Sequence, residues 1–237
     1  MYLREDNMHI MEGFLPWQWC LVWWIVALPS LMLGIYPLKK VLKFDREARP
    51  LLGITGGFIF ILSSLKLPSV TGSCSHPTGT GLPTISFGPL ITAVVCAIVL
   101  LFQSLFLAHG GLSTLGANIV SMGIVGPLVG YGVYRLLRNS TVNIYIIVFI
   151  VTALADMFTF VTTSLELALA YPAETGGVAS SFVLFLGIFA ITQIPLAIVE
   201  GVVLALVFKY ILTLKHDILI RLKVFSEKKI NSACSGF

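Results

Sequence analysis

A methionine-histidine pair stands just ahead of the first long apolar run, in "NMHIMEGF", Asn7 to Phe14. If the mature chain begins at Met8, its α-amine, the backbone nitrogen of His9 and the His9 ring Nδ1 form two fused chelate rings with three nitrogens in one plane. His76, in "TGSCSHPTGTGLP", can supply a fourth. An all-nitrogen tetragonal set suits Ni(II), Cu(II) or low-spin Co(II) better than Zn(II), which prefers a tetrahedron, or Mg(II), which prefers oxygen. Forming it displaces protons from the ammonium and the amide, so binding weakens as pH falls. The same residues admit a plainer reading, with His9 an interfacial histidine and His76 a loop residue bonded to backbone. The seven residues "MYLREDN" upstream would bury the amine in a peptide bond, and they are too short and too acidic for a signal peptide.

Other residues can support such an ion. The loop around His76 is dense in Gly, Ser, Thr and Pro, which lets backbone approach a small ligand closely and lets hydroxyls satisfy stray backbone groups. Cys74, Ser75, Thr78 and Gly79 are its candidates. Asp156, Thr159, Thr163 and Glu166 fall at i, i+3, i+7 and i+10 and form one polar stripe on a helix. Ionisable groups within a span face the bundle interior or water, so Asp156 is a candidate for a cation path or a supporting contact. Glu200 reads similarly, and Glu166 is placed near an end, where solvent can reach it. His109, in "AHGGLSTLGAN", is expected in an outer loop as a contact for the arriving ion or as an ordinary loop histidine.

Helices in a bilayer must position these groups. With 57% hydrophobic and 11% charged residues and a mean hydropathy of +0.96, no polar shell could cover a soluble globule of this length. The chain therefore reads as an all-α, multi-pass integral membrane protein. Apolar segments run at about 16–36, 51–67, 89–108, 118–137, 142–170 and 178–214. Net charge is only +4, and most of the Lys and Arg residues cluster around 39–49, at 135 and 138, and from 215 onward, with no basic face for nucleic acid. The positive-inside rule puts all three clusters in the cytoplasm, which six crossings cannot satisfy.

The parity is repaired if "KLPSVTGSCSHPTGTGLPTISFGP", Lys66 to Pro89, dips back, with a short re-entrant helix over about 78–87. About seven transmembrane elements then run from an outside N-terminus to a cytoplasmic C-terminus. The segment 178–214 is too long for one straight span. Tilt, extension or a kink at Gly187, Pro195 or Gly201 can absorb the excess. The expected organisation is an extension at 1–7, a membrane domain at 8–215, and a short basic tail at 216–237 with a frayed end. Cys20, Cys74, Cys96 and Cys234 show no CxxC or finger spacing, so no disulfide framework or structural zinc is expected.

No P-loop, HExxH or GxSxG motif is present in the sequence, so energy for any work must come from a partner or a gradient. The stretches "MHIMEGFLP" (8–16), "SSLKLPSVTGSCSHPTGTGL" (63–82) and "LAHGGLSTLGANIVSMGIVGP" (107–127) resemble the CbiM family. CbiM is the substrate-capture component of energy-coupling-factor (ECF) cobalt transporters and is similar to the NikM nickel components. The resemblance extends from Met8 to about Lys215. It implies a seven-helix, ECF S-component-like bundle in the cell membrane, with a divalent ion held by Met8, His9 and His76. It also implies a CbiN-like small membrane subunit, a CbiQ-like coupling subunit and CbiO-like ATPases, in transport that serves cobalamin biosynthesis.

The reading is thus a non-enzymatic subunit that captures Co(II), with Ni(II) the near alternative and no organic cofactor. From other classes, an intramembrane metalloenzyme would need an open coordination position and a general base, for which Asp156 would have to reach His76. A gradient-driven carrier would use Asp156 as its midplane carboxylate.

Overall fold

In a computed structural model of the protein, residues 9–65, 67–68 and 74–234 are described, with backbone alone at 67, 68, 74 and 234. The apolar runs become helices α1 (Trp17–Phe44), α2 (Ala48–Ser64), α4 (Pro89–Phe106), α7 (Ile144–Ala170) and α8 (Gly177–Arg221). A composite helix is built from α5 (Leu115–Asn118), a π-helical turn (Ile119–Val125) and α6 (Gly126–Leu137). Two shorter helices, α3 (Gly81–Phe87) and α9 (Glu227–Cys234), complete the helical set. Among the described residues, extended structure is a two-residue antiparallel ladder, β1 (Leu67–Pro68) with β2 (Cys74–Ser75), and an isolated bridge between Ala173 and Gly177.

Local chemistry sets the helix ends. The Asp45 carboxylate accepts from Ala48 N at 3.0 Å, and Asn143 Oδ1 accepts from Tyr145 N at 2.9 Å at the start of α7. Gly88 takes φ +84° between α3 and α4, with Pro89 opening α4, a reversal that a Cβ would strain.

Five helices are long and apolar enough to cross a membrane: α1, α4, the α5–α6 composite, α7 and α8. At 17 residues, α2 is a shorter apolar helix. A short helix does fall in the 78–87 stretch: α3, seven residues whose positions Gly81 to Ser86 are all buried. A Cβ on Gly81 would run into Thr152 of α7 and Leu204 of α8, so α3 is held tightly between them. Residues exposed on α1, such as Leu21, Ile25, Met32 and Leu33, present a broad apolar surface. α7 is the central helix, packed most extensively against α8.

One expectation is corrected: the last apolar run is not kinked at Gly187, Pro195 or Gly201 but stays helical from Gly177 to Leu214, and the non-helical backbone comes at Lys215 (φ −147°, ψ 41°), where a second helical stretch to Arg221 begins. The tail's last residues, where fraying was expected, lie outside the described residues, and the described part is ordered. Val224, Phe225 and Ile230 are buried against Tyr134 and Phe208, the Tyr134 hydroxyl donates to the Val224 carbonyl, and Lys229 Nζ donates to the Ser140 carbonyl at 2.9 Å. Three apolar side chains in the tail suffice to fold α9 back onto the bundle, where cation–π contact of Lys229 with Phe225 adds to the packing.

Candidate metal centre

The segment leading into α1 is clamped at Ile10. Its N–H donates to Asn118 Oδ1 at 2.9 Å, and its carbonyl accepts from Asn118 Nδ2 at 3.1 Å and from Thr114 Oγ1 at 2.5 Å. A single side-chain amide thus satisfies both backbone groups of one residue, as a neighbouring strand would. The Ile10 side chain is buried with Leu15, Cys20, Phe160 and Phe189, and Ser113 N donates to Glu12 Oε2 at 3.0 Å. His9 is thereby fixed and buried, 2% exposed.

His109 follows the end of α4. Ala108 adopts φ +48° and Gly110 φ +75°, and His109 N donates to the Gln103 carbonyl at 3.2 Å, a tight exit that turns the imidazole inward. Space there is limited: a Cβ at Gly110 would lie 3.2 Å from Asn118 Nδ2 and 3.5 Å from His9 Cβ.

His76 is held through its loop. Ser75 Oγ lies 2.7 Å from Thr192 Oγ1, and Gln193 Nε2 donates to the His76 carbonyl at 3.1 Å. Glu200 accepts from Thr78 N at 2.6 Å and from Gly79 N at 2.8 Å. The His76 Nδ1 is 3.1 Å from the Pro77 carbonyl. A carbonyl only accepts, so Nδ1 carries the proton and Nε2 presents its lone pair. That Nε2 is buried without a hydrogen-bond partner among the described residues. Burial pushes the His76 imidazole down to about 4, partly offset by the Pro77 carbonyl, so the ring is a neutral, ligand-ready base.

These three elements bring three imidazoles together. The His9 and His76 rings stack with centroids 4.3 Å apart and planes 14° from parallel. His109 meets them edge-on at 4.5 Å and 5.2 Å. One ring nitrogen from each lies within 4.8 Å of the others. Bonds of about 2.0 Å to one ion separate its nitrogen ligands by about 2.8 Å at right angles and about 4 Å across, so a small closure of the rings completes a sphere. His9 Nδ1 is 2.6 Å from His109 Nε2. An ion bound at His9 Nδ1 therefore either replaces that hydrogen bond or takes both nitrogens.

The remaining sequence candidates separate. Met8 lies outside the described residues, as does the Cys74 side chain. His109 is no solvated loop residue: it is 1% exposed, within the cluster. Ser75, Thr78 and Gly79 support the loop that carries His76. Asp156 does not reach His76 directly; Gln193 stands between them, donating to both Asp156 oxygens at 3.0 Å and 2.9 Å. Thr159 and Thr163 donate to carbonyls of their own helix, Ala155 at 2.9 Å and Thr159 at 3.1 Å, the usual resolution for hydroxyls in apolar helices. Glu166, expected where solvent could reach it, is fully buried, because it lies on the face of α7 that neighbouring helices cover from Ile144 to Ala168. Asn118 and Gln193 were not singled out by the sequence. The available signal was one side-chain amide in each of two otherwise apolar segments, and Gln193 also falls seven residues before Glu200, on the same helix face.

An apolar helical bundle that gathers three buried imidazoles defines a membrane protein whose leading functional feature is a histidine cluster able to hold a metal ion. Comparison with known proteins agrees. The profile of the family "Cobalt uptake substrate-specific transmembrane region", CbiM, matches residues 9–218. A "Putative cobalt transport protein CbiM 2" of Methanosphaerula palustris is 66% identical over 226 residues, 95% of this chain and 96% of the relative. A "Cobalt transport protein CbiM" of Moorella thermoacetica is 51% identical, covering 93% of this chain and 85% of that one. Among solved structures, a transition metal transporter superposes with a TM-score of 0.75 at 26% identity, covering 91% of this chain and 99% of that chain. A truncated transition metal transporter gives 0.73 at 29% identity, covering 86% and 98%. The chain belongs to the CbiM family, a family of cobalt-transport components, and is a multi-pass membrane protein.

Proposed function

We propose that the protein captures Co(II) from outside the cell through Met8, His9 and His76 and passes it inward as the substrate-binding subunit of an ATP-driven ECF transporter, the imported ion serving cobalamin biosynthesis. The observation that carries the reading is the buried His76 Nε2, with no hydrogen-bond partner among the described residues, stacked on the His9 ring. The ion's charge would be met by the chelating amine and amide nitrogens of the first two residues of a chain beginning at Met8. Ni(II) satisfies the same donors, since both ions accept tetragonal nitrogen sets.

In this reading the N-terminus faces outward and the basic clusters face the cytoplasm. Helices α2 and α3 complete a set of seven elements, α3 being a re-entrant segment whose buried position suits irregular backbone at depth. A CbiN-like subunit, a CbiQ-like coupling subunit and CbiO-like ATPases would supply partners and energy.

The metalloenzyme alternative is weakened by Gln193, which separates Asp156 from His76 and occupies both carboxylate oxygens that a general base would need. Cobalt uptake by cells carrying the protein with its partner subunits tests the proposal. Uptake should vanish with His76→Ala and with an inactivated ATPase. Uptake that survives loss of the ATPases would favour a gradient-driven carrier.

A further inference from the structure

The loop that carries His76 is anchored almost wholly to one helix, and through backbone. Gln193 and Glu200, both buried, lie about two turns apart on one face of α8. Gln193 takes the His76 carbonyl, and Glu200 takes the Thr78 and Gly79 N–H groups with its two oxygens. The Thr78 hydroxyl adds a contact at 3.2 Å. Behind them, on α7, Asp156 accepts from Gln193 with both carboxyl oxygens. His9, by contrast, is held by Asn118 and Thr114 on and beside α5. The two halves of the cluster are thus mounted on different helices.

The two Glu200 oxygens each accept from a backbone N–H of the loop, a pair of contacts that needs two acceptor atoms. We propose that Glu200 and Gln193 are positioning residues that set the His76 ring through its backbone. The proposal rests on the reading that His76 is a metal ligand. It predicts an asymmetry that general packing would not produce. Asp156→Asn keeps one oxygen to accept from Gln193 and leaves the Glu200 contacts to the loop in place. Gln at 200 instead turns an NH2 toward backbone N–H groups and leaves them unsatisfied.

The test is Co(II) titration of the full membrane protein beginning at Met8, in detergent, following the cobalt d–d absorption. Changes around metal ligands typically cost 10- to 100-fold in affinity, so Glu200→Gln should bind about that much more weakly with a displaced absorption band, while Asp156→Asn should stay within about threefold of the unaltered protein with the same band. Gln193→Met, similar in size, should lose at least tenfold and serves the same purpose should Glu200→Gln fail to fold. Unchanged binding by Glu200→Gln or by Gln193→Met, or equal losses in Asp156→Asn and Glu200→Gln, would overturn the proposal while leaving His76 a ligand. Binding that also survives His76→Ala would remove the underlying reading with it.

Discussion

His9 Nδ1 lies 2.6 Å from Nε2 of His109, one hundred positions later in the chain. One of the two nitrogens donates and the other accepts, so His109 holds the His9 ring in orientation ahead of the ion, which then displaces this contact or takes both nitrogens. We expect His109→Ala to weaken Co(II) binding by about tenfold, with His9→Ala and His76→Ala abolishing it. Equilibrium dialysis distinguishes these grades. Abolition by His109→Ala would make His109 a ligand in its own right.

Asn118 is the second hold on the N-terminal segment. Its side chain makes two hydrogen bonds to Ile10, each worth about 1 kcal/mol. Asn118→Ala should therefore loosen residues 9–15 selectively. The measurement is hydrogen exchange by mass spectrometry, with faster exchange expected in that segment and little change in α7. Asn118 closes α5 immediately before the π-helical turn Ile119–Val125, and such turns often mark functional hinges.

The meeting of His9 and His76 was legible because residue type and position sufficed: a histidine directly after a candidate N-terminus and another in an uncharged loop, joined by a two-helix hairpin. The helical character of the bundle followed from hydropathy, and α3 from the charge parity of the flanking clusters. The partnerships were not legible. Asn118 meets Ile10 across more than one hundred residues, and Gln193 meets His76 across 117, so no local spacing announces either. Glu166 was misplaced because hydropathy reports depth along a helix and not how neighbouring helices cover it. The folded tail was missed because Val224, Phe225 and Ile230 form too short a pattern to read among the basic residues around them.

Gly79 combines φ +72° with a close approach, since a Cβ there would lie 2.8 Å from the Ile59 Cα. Gly79→Ala must strain the backbone and push the His76 loop off α2, at a cost of about 2 kcal/mol. Gly13→Ala is the control: φ is +73° with nothing within 4 Å of the added carbon. Thermal unfolding in detergent should show a larger fall for Gly79→Ala, and weakened cobalt binding should accompany only that variant.

The pH dependence of binding should come from the amine and the amide. Because burial holds His76 down at about 4, its ring does not take up a proton to compete with the ion until well below neutrality. The unfolded ring titrates near 6.5, so the unfolded state binds more protons between about 6.5 and 4, and the metal-free protein loses stability as pH falls through that window. A free α-amine titrates near 7.7–8.0. For a chain beginning at Met8, Co(II) affinity should drop between about pH 8 and 6, with about two protons released per ion bound. Calorimetry in buffers of different ionisation enthalpy counts those protons. A chain with Met8 in peptide linkage should bind weakly, with a flatter pH profile.

The central claim is that one transition-metal ion is bound through the His76 ring at the histidine cluster. The most direct measurement is the cobalt content, by mass spectrometry, of the dialysed protein beginning at Met8, beside its His76→Ala variant. The account predicts close to one ion per chain in the first and almost none in the second. Equal cobalt in both would contradict it.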